Sequence, residues 1–128
     1  MCHQTVSLVA RHLEAAGIPT VVIGSARDIV EECGVPRFLF VDFPLGNPCG
    51  KPYDTAMQDA IAGAALDLLE RAWAPRTTVQ RPEVWNAQDD LAWRANFMRV
   101  DDSNRAQLAA AGEARRREQA AVREAKPG

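Results

Sequence analysis

Several features are missing from this chain of 128 residues, and each absence narrows what it does. No apolar run approaches the ~18 residues of a membrane span, and the N-terminus lacks the charged-then-apolar pattern of a secretion signal. There is no surplus of positive charge. Lys and Arg number 15 against 17 Asp and Glu, a net of -2, which argues against non-specific nucleic-acid binding. The three cysteines are an odd count without disulfide-rich spacing, which fits a reducing cytoplasm. No C-x-x-C or H-x-x-x-H spacing exists, so no metal site is expected, and no cofactor either. A Gly-rich phosphate loop, a nucleophile elbow and a kinase signature are all lacking.

What remains is ordinary globular protein, with 47% apolar and 25% charged residues. The length allows one domain at most, since domains typically run to ~100–150 residues. Val6, Val9, Ala10, Leu13 and Ala16 fall at helical spacing, with Arg11, His12 and Glu14 outward. Gly17 closes that helix, and Ile18-Pro19 cannot continue it. Thr20 to Ile23 is a β-branched run without alternation, as expected of a strand covered on both faces. Gly24-Ser25 reads as a turn with a helix cap. Ala26 to Cys33 is then a short helix closed by Gly34, and Phe38 to Val41 a second buried strand. This rhythm is that of an α/β domain with a parallel sheet. Two clear strands are too few for independent stability. The first helix therefore predicts a further strand upstream of the chain or from a partner.

After the second strand, Phe43 to Asp54 holds two of the eight glycines and three of the eight prolines. Proline fixes φ and glycine permits strained angles, so the loop is expected to be rigid. It follows the carboxyl end of a strand, where open α/β sheets place ligands. Pro44, Gly46, Asn47 and Cys49 are its candidate substrate- or partner-facing residues. A plain strand-to-helix connection is the other reading. Asp54 suits an N-cap for a helix from about Thr55 to Trp73, with Met57, Ile61, Ala64, Ala65, Leu68 and Ala72 on one stripe.

Arg76 to Pro82 reads as linker-like or extended, and Glu83 to about Met98 as weakly helical. Val84, Trp85, Leu91, Trp93 and Phe97 are expected against the core or an oligomer partner. From Asn104 to Ala125, eight alanines accompany Arg115-Arg116-Arg117, and Leu108 and Val122 are the only large apolar residues. High helix propensity without an apolar face predicts a solvated, fraying helix. The expected division is an α/β domain over 1–75, a linker and aromatic segment over 76–100, and a helical tail over 101–128.

Cys2 is the candidate for chemistry. A thiol at a helix N-terminus feels the positive end of the dipole, which favours its thiolate and raises its reactivity. A protonated His3 would add to that effect. Cysteines beside an initiator Met are more often incidental. Cys33, at a helix end, reads as a small buried hydrophobe, and Cys49 as exposed.

Three stretches together carry a family resemblance: Cys2-His3-Gln4-Thr5, Leu13-Glu14-Ala15-Ala16-Gly17-Ile18-Pro19-Thr20, and Phe43-Pro44-Leu45-Gly46-Asn47-Pro48. From about Cys2 to Trp85 the chain resembles component B (selenoprotein B) of the glycine, sarcosine, betaine and D-proline reductases, in particular its short bacterial relatives. The resemblance implies redox chemistry on a small amino-acid-like substrate. A selenocysteine or cysteine is expected three positions before Cys2, with Cys2 as the resolving thiol of a selenenyl sulfide or disulfide. That position falls ahead of Met1. The expectation is therefore an upstream in-frame UGA read as a stop, with the coding region begun at a later start. Without its nucleophile the redox pair is broken.

The reading as a whole is a small open parallel sheet flanked by helices, a partial Rossmann- or flavodoxin-like unit, with an α-helical C-terminal extension. Its function is that of a cytoplasmic thiol or selenol oxidoreductase, with Cys2 catalytic. A redox partner protein or a homo-oligomer is expected, with no nucleic acid and no membrane. The rival is a non-catalytic interaction subunit that binds a partner through the sheet edge and the Trp85–Phe97 region. A third reading is a small-molecule module using the Pro/Gly loop, which ligand protection of Cys49 would support.

Overall fold

A computed structural model describes residues 2–88, 91–96 and 99–125. Two compact units, Met1–Arg94 and Ala95–Gly128, divide the chain. The first is the α/β unit. Its elements run α1 (Cys2–Ala15), β1 (Val22–Gly24), α2 (Arg27–Cys33), β2 (Arg37–Phe40), α3 (Thr55–Arg71) and β3 (Thr77–Gln80). The three strands are parallel and ordered β1-β2-β3, with Val22 opposite Phe38 and Leu39 opposite Val79. The sheet thus has three strands rather than the two expected. The third comes from the extended segment after Arg76, where β-branched Thr77, Thr78 and Val79 suit a strand.

Side chains alternate across a sheet, and the two faces here have separate cores. On one, Val22 and Phe38 pack with Ala10 of α1 and with Val30 and Val35. On the other, Leu39, Val41 and Phe43 pack with Ile61, Ala65 and Leu68 of α3. Both faces being covered explains why the stretches holding β1 and β2 read as unbroken apolar runs. Strand order advances in one direction while α2 and α3 take opposite faces, so the two crossovers have opposite hands, and one is the uncommon left-handed form.

Local chemistry sets the ends of the elements. Gly17 (φ 85°) follows α1, where the Ile18 N–H donates back to the Leu13 carbonyl at 3.0 Å. Gly34 closes α2 in the left-handed region (φ 71°), its N–H donating to the Glu31 carbonyl at 2.9 Å. Asp54 caps α3, its carboxylate accepting the Met57 N–H at 3.0 Å. Ser25, expected to cap α2, does not. The N-cap position is Ala26, and no side chain caps it.

The inward face of α1 also differs from expectation. His3, Ser7 and Ala10 are buried, whereas Val6, Leu8 and Val9 are about half exposed. The buried stripe keeps helical spacing but lies one position further on, and it begins with a polar ring. Ser7 meets its cost of burial by donating to the His3 carbonyl at 2.6 Å.

Beyond β3 the helical expectation for Glu83 to Met98 holds over little of its length. Residues 83–88 are not helical, and α4 covers Ala92–Asn96. Trp85 packs on the α3-side core, its ring 5.5 Å from that of Phe43. Phe97 lies outside the described residues. In the second unit α5 (Arg105–Ala125) is helical, with Leu108 and Val122 exposed. The fold class is therefore as read from the sequence: a small open parallel sheet flanked by helices, followed by a C-terminal helix.

Candidate functional site

The carboxyl ends of β1 and β2 gather the candidate residues. β1 ends at Gly24, and the ladder continues one step beyond β2, with the Val41 N–H donating to the Gly24 carbonyl at 3.0 Å. The chain after β1 turns to one face of the sheet and the chain after β2 to the other. In open α/β sheets, ligands bind where neighbouring connections part in this way. The N-terminus of α1 reaches the same edge, because His3 contacts the residues that follow β1.

His3 organises this edge. The residue is 9% exposed, and its Nε2 accepts the Ser25 backbone N–H at 3.1 Å. A ring nitrogen that accepts a hydrogen bond carries no proton, so the hydrogen-bond network assigns the ring proton to Nδ1. Nδ1 lies 3.7 Å from the Cys2 sulfur, within reach of an N–H···S hydrogen bond. In this tautomer the Nδ1–H faces the Cys2 sulfur as a donor. Gly24 allows this closeness. A Cβ there would lie 3.0 Å from His3 Cδ2 and 3.2 Å from Phe38 Cε2. The sequence signal for this was Gly24 at a strand end. Its partner, His3, could not be read from spacing.

Cys2 is exposed and is the first residue of α1. The first four N–H groups of a helix lack intrahelical partners and carry the positive end of its dipole. No acidic side chain occupies the first turn to offset it. Cys2 thus combines three things: access, a helix N-terminus, and an adjacent N–H donor.

The loop after β2 is a chain of tight turns. The Asn47 N–H donates to the Pro44 carbonyl at 3.1 Å, the Gly50 N–H to the Asn47 carbonyl at 3.2 Å, and the Asp54 N–H to the Lys51 carbonyl at 3.2 Å. Gly46 (φ 93°) and Gly50 (φ 104°) supply the left-handed angles. A Cβ at Gly50 would meet Met57 at 2.9 Å, so the loop is clamped against α3. Pro44 is buried, Gly46 exposed, Asn47 half-buried and Cys49 exposed. Lys51 stands over the Trp85 ring, 5.8 Å from its centroid. Asp42, at the loop's start, pairs with Arg94. Among the described residues, no hydrogen bond joins Cys2 to this loop; the two share the sheet edge through Gly24 and Val41.

Cys33 is half-buried. Among the described residues, no three His, Cys, Asp or Glu side chains are grouped to hold a metal ion. No helix among them is long and apolar enough to cross a membrane.

Fold and site together define the class: an open parallel α/β protein presenting a thiol beside a buried histidine at the carboxyl edge of its sheet. The chain is similar to D-proline reductase subunit gamma of Acetoanaerobium sticklandii, with 35% identity over 68 residues. The match takes in 53% of this chain and 28% of that protein, and it supports a distant relation to the reductase family. No family model matches the chain, and no experimental structure resembles it closely enough to count as a match.

Proposed function

We propose that this chain is a thiol-dependent oxidoreductase subunit of the component B type, acting in reductive cleavage of a small amino-acid-like substrate, with Cys2 as its redox-active thiol. One observation carries this reading: the exposed Cys2 sulfur at the start of a 14-residue helix, 3.7 Å from His3 Nδ1. The name of the similar protein, a subunit of a reductase of a small amino acid, supports it.

The step assigned to Cys2 is thiol exchange. Its thiolate attacks the oxidised selenium or sulfur of a partner group and forms a selenenyl sulfide or disulfide. The former substituent of that atom leaves with the electron pair. An external dithiol then returns both atoms to the reduced state and is itself oxidised to a disulfide. His3 orients the sulfur and donates to its anion. The loop from Pro44 to Pro52 lines the neighbouring strand end, with Asn47 and Cys49 toward substrate or partner. The cytoplasm, with its reducing pool, suits this chemistry.

Alkylation tests the proposal. Cys2 and Cys49 are both exposed, so they serve as each other's control. With iodoacetamide at pH 7, read by peptide mass spectrometry, Cys2 is expected to react about tenfold faster than Cys49. His3→Gln should erase most of that difference. Equal rates for the two cysteines would defeat the reading. The component B assignment, with its nucleophile three positions before Cys2, is tested separately by the nucleotides upstream. An in-frame UGA or cysteine codon there within a continuing reading frame supports it, and a closed frame opposes it.

A second reading, a non-catalytic interaction subunit, has its own observation. Val6, Leu8 and Val9 are 46%, 51% and 50% exposed on α1. This is apolar surface without cover among the described residues. Under this reading Cys2 alkylates like an ordinary thiol, and Val9→Asp abolishes association with the partner.

A further inference from the structure

The opposite end of the sheet carries a second polar assembly that the Cys2 chemistry does not use. Two adjoining surface grooves, of about 330 and 350 Å³, share Glu14, Pro36 and Pro75. They lie where α1 ends and where β2 and β3 begin. Arg37 lines the first groove and Arg11 and Arg76 the adjoining second, against one carboxylate, Glu14, which lines both.

That carboxylate is already engaged. Arg37 Nη1 donates to both Glu14 oxygens, at 2.9 and 3.0 Å. Arg37 Nε is buried and has no acceptor. Such orphaned donors cost stability and are rare in native proteins. Arg11 and Arg76 make no ion pair among the described residues. The grooves therefore hold two positive charges with no ion pair among the described residues.

Two further features point to a ligand rather than to bare surface charge. Trp73 lines the first groove and is 91% exposed, an unusual placement for the largest apolar side chain. Arg76 adopts a left-handed backbone (φ 60°), uncommon for a residue with a Cβ. Strain of that kind clusters where function holds it in place. The Arg76 guanidinium lies against Gly34, where a Cβ would come within 2.8 Å of Nη2.

We propose that these grooves bind a carboxylate carried beside a flat apolar group. The carboxylate meets the free arginines, and the flat group stacks on Trp73. The ligand is either a small free acid or the C-terminal carboxylate of a polypeptide, which share this chemistry. The inference stands apart from the Cys2 reading, since the two sites occupy opposite ends of the strands.

The test uses the full chain with its tryptophans labelled at the indole nitrogen, followed by NMR. Benzoate, acetate, N-acetyl-Gly-Gly-Phe and its C-terminal amide are titrated in turn. Benzoate is expected to shift the Trp73 indole signal saturably, with a Kd of about 1 mM, the range ligand efficiency allows for so few atoms. Acetate should bind at least about tenfold more weakly, as it lacks the stacking group. Arg11→Gln together with Arg76→Gln should weaken benzoate about tenfold or more. Arg11→Gln alone, at an exposed position, should give part of that loss without risk to the fold. A peptide acid binding well above benzoate, with the amide silent, assigns the site to a chain terminus. Equal binding of the two acids assigns it to a free small acid. A Trp73 signal unmoved by benzoate and peptide alike, or a shift that survives loss of both arginines, overturns the proposal.

Discussion

The two ends of the three-stranded sheet are built from different kinds of polar group. At the carboxyl end the contacts are short, mostly uncharged and sterically confined: the Ser25 N–H on His3, His3 against Gly24, and Nδ1 toward the Cys2 sulfur. At the amino end the contacts are charged and half open to water: Glu14 on Arg37, with Arg11 and Arg76 nearby. The first arrangement depends on packing, so substitutions that change volume should disturb it most. The second depends on ionisation, so pH and salt should disturb it most.

The largest expected effect breaks the packed end. Gly24→Val places a branched side chain against His3 and Phe38, both confined, and should destabilise the fold by about 2–3 kcal/mol. Urea denaturation measures this. Gly63→Ala in α3, where a Cβ meets nothing within 4 Å, serves as the control and should stabilise by up to about 1 kcal/mol. Gly24→Val should also slow Cys2 alkylation, because the ring that faces the sulfur is displaced. A variant as stable as wild type would mean that the carboxyl end is not tightly packed.

Glu14→Gln addresses the charged end and has a smaller effect with a defined pH dependence. The Arg37 guanidinium, hydrogen-bonded to Glu14, holds its carboxyl below the usual carboxylate range, against an opposing effect of burial. A carboxyl lowered by folding contributes stability above its unfolded value, about 4.3, and loses it as pH falls through the folded value. At pH 7 the variant should therefore be less stable than wild type by about 1 kcal/mol, near the upper limit for a pair partly open to water. The gap should shrink as pH falls through the folded value and narrow in 1 M salt, where screening reaches within ~3 Å. Thermal melts across pH read this directly. Glu83, lowered in the same way by Arg81, is present in both proteins and cancels in the difference. A gap that does not change with pH would remove the contrast between the two ends.

The smallest effect sharpens the comparison. Ser25 Oγ is buried without a hydrogen-bond partner, so Ser25→Ala should leave stability within about 0.5 kcal/mol of wild type or raise it slightly. Alkylation of Cys2 should not change, because the donor to His3 is the Ser25 backbone. Any marked slowing would show that the hydroxyl takes part in the site.

Much of the fold was legible because its signals are local. Gly17 before Ile18-Pro19, Gly34 after Cys33, and Asp54 before Thr55 mark helix ends through chemistry confined to a few residues. The α3 stripe of Ile61, Ala65 and Leu68 follows from 3.6-residue periodicity. The third strand was less legible, since four residues with one large apolar side chain resemble any extended linker. The inward face of α1 was misread because hydropathy ranks Val6 and Val9 above His3 and Ser7. Burial of His3 is instead stabilised by a hydrogen bond from a residue 22 positions away. At the candidate site, Cys2 and the Pro/Gly loop were visible as residue types. His3 was read as a charge beside Cys2 and as part of the family stretch, and Ser25 only as a cap.

By itself, the order of residues determined the alternation of helix and strand and the two-sided burial of β1 and β2. Each of these depends on neighbours within one or two turns of chain. Only the tertiary structure decided which side of α1 turns inward, which nitrogen of His3 faces the sulfur, and that Glu14 and Arg37, 23 residues apart, meet at the far end of the sheet. Such contacts depend on where distant segments meet in space, and neither periodicity nor composition encodes that meeting point.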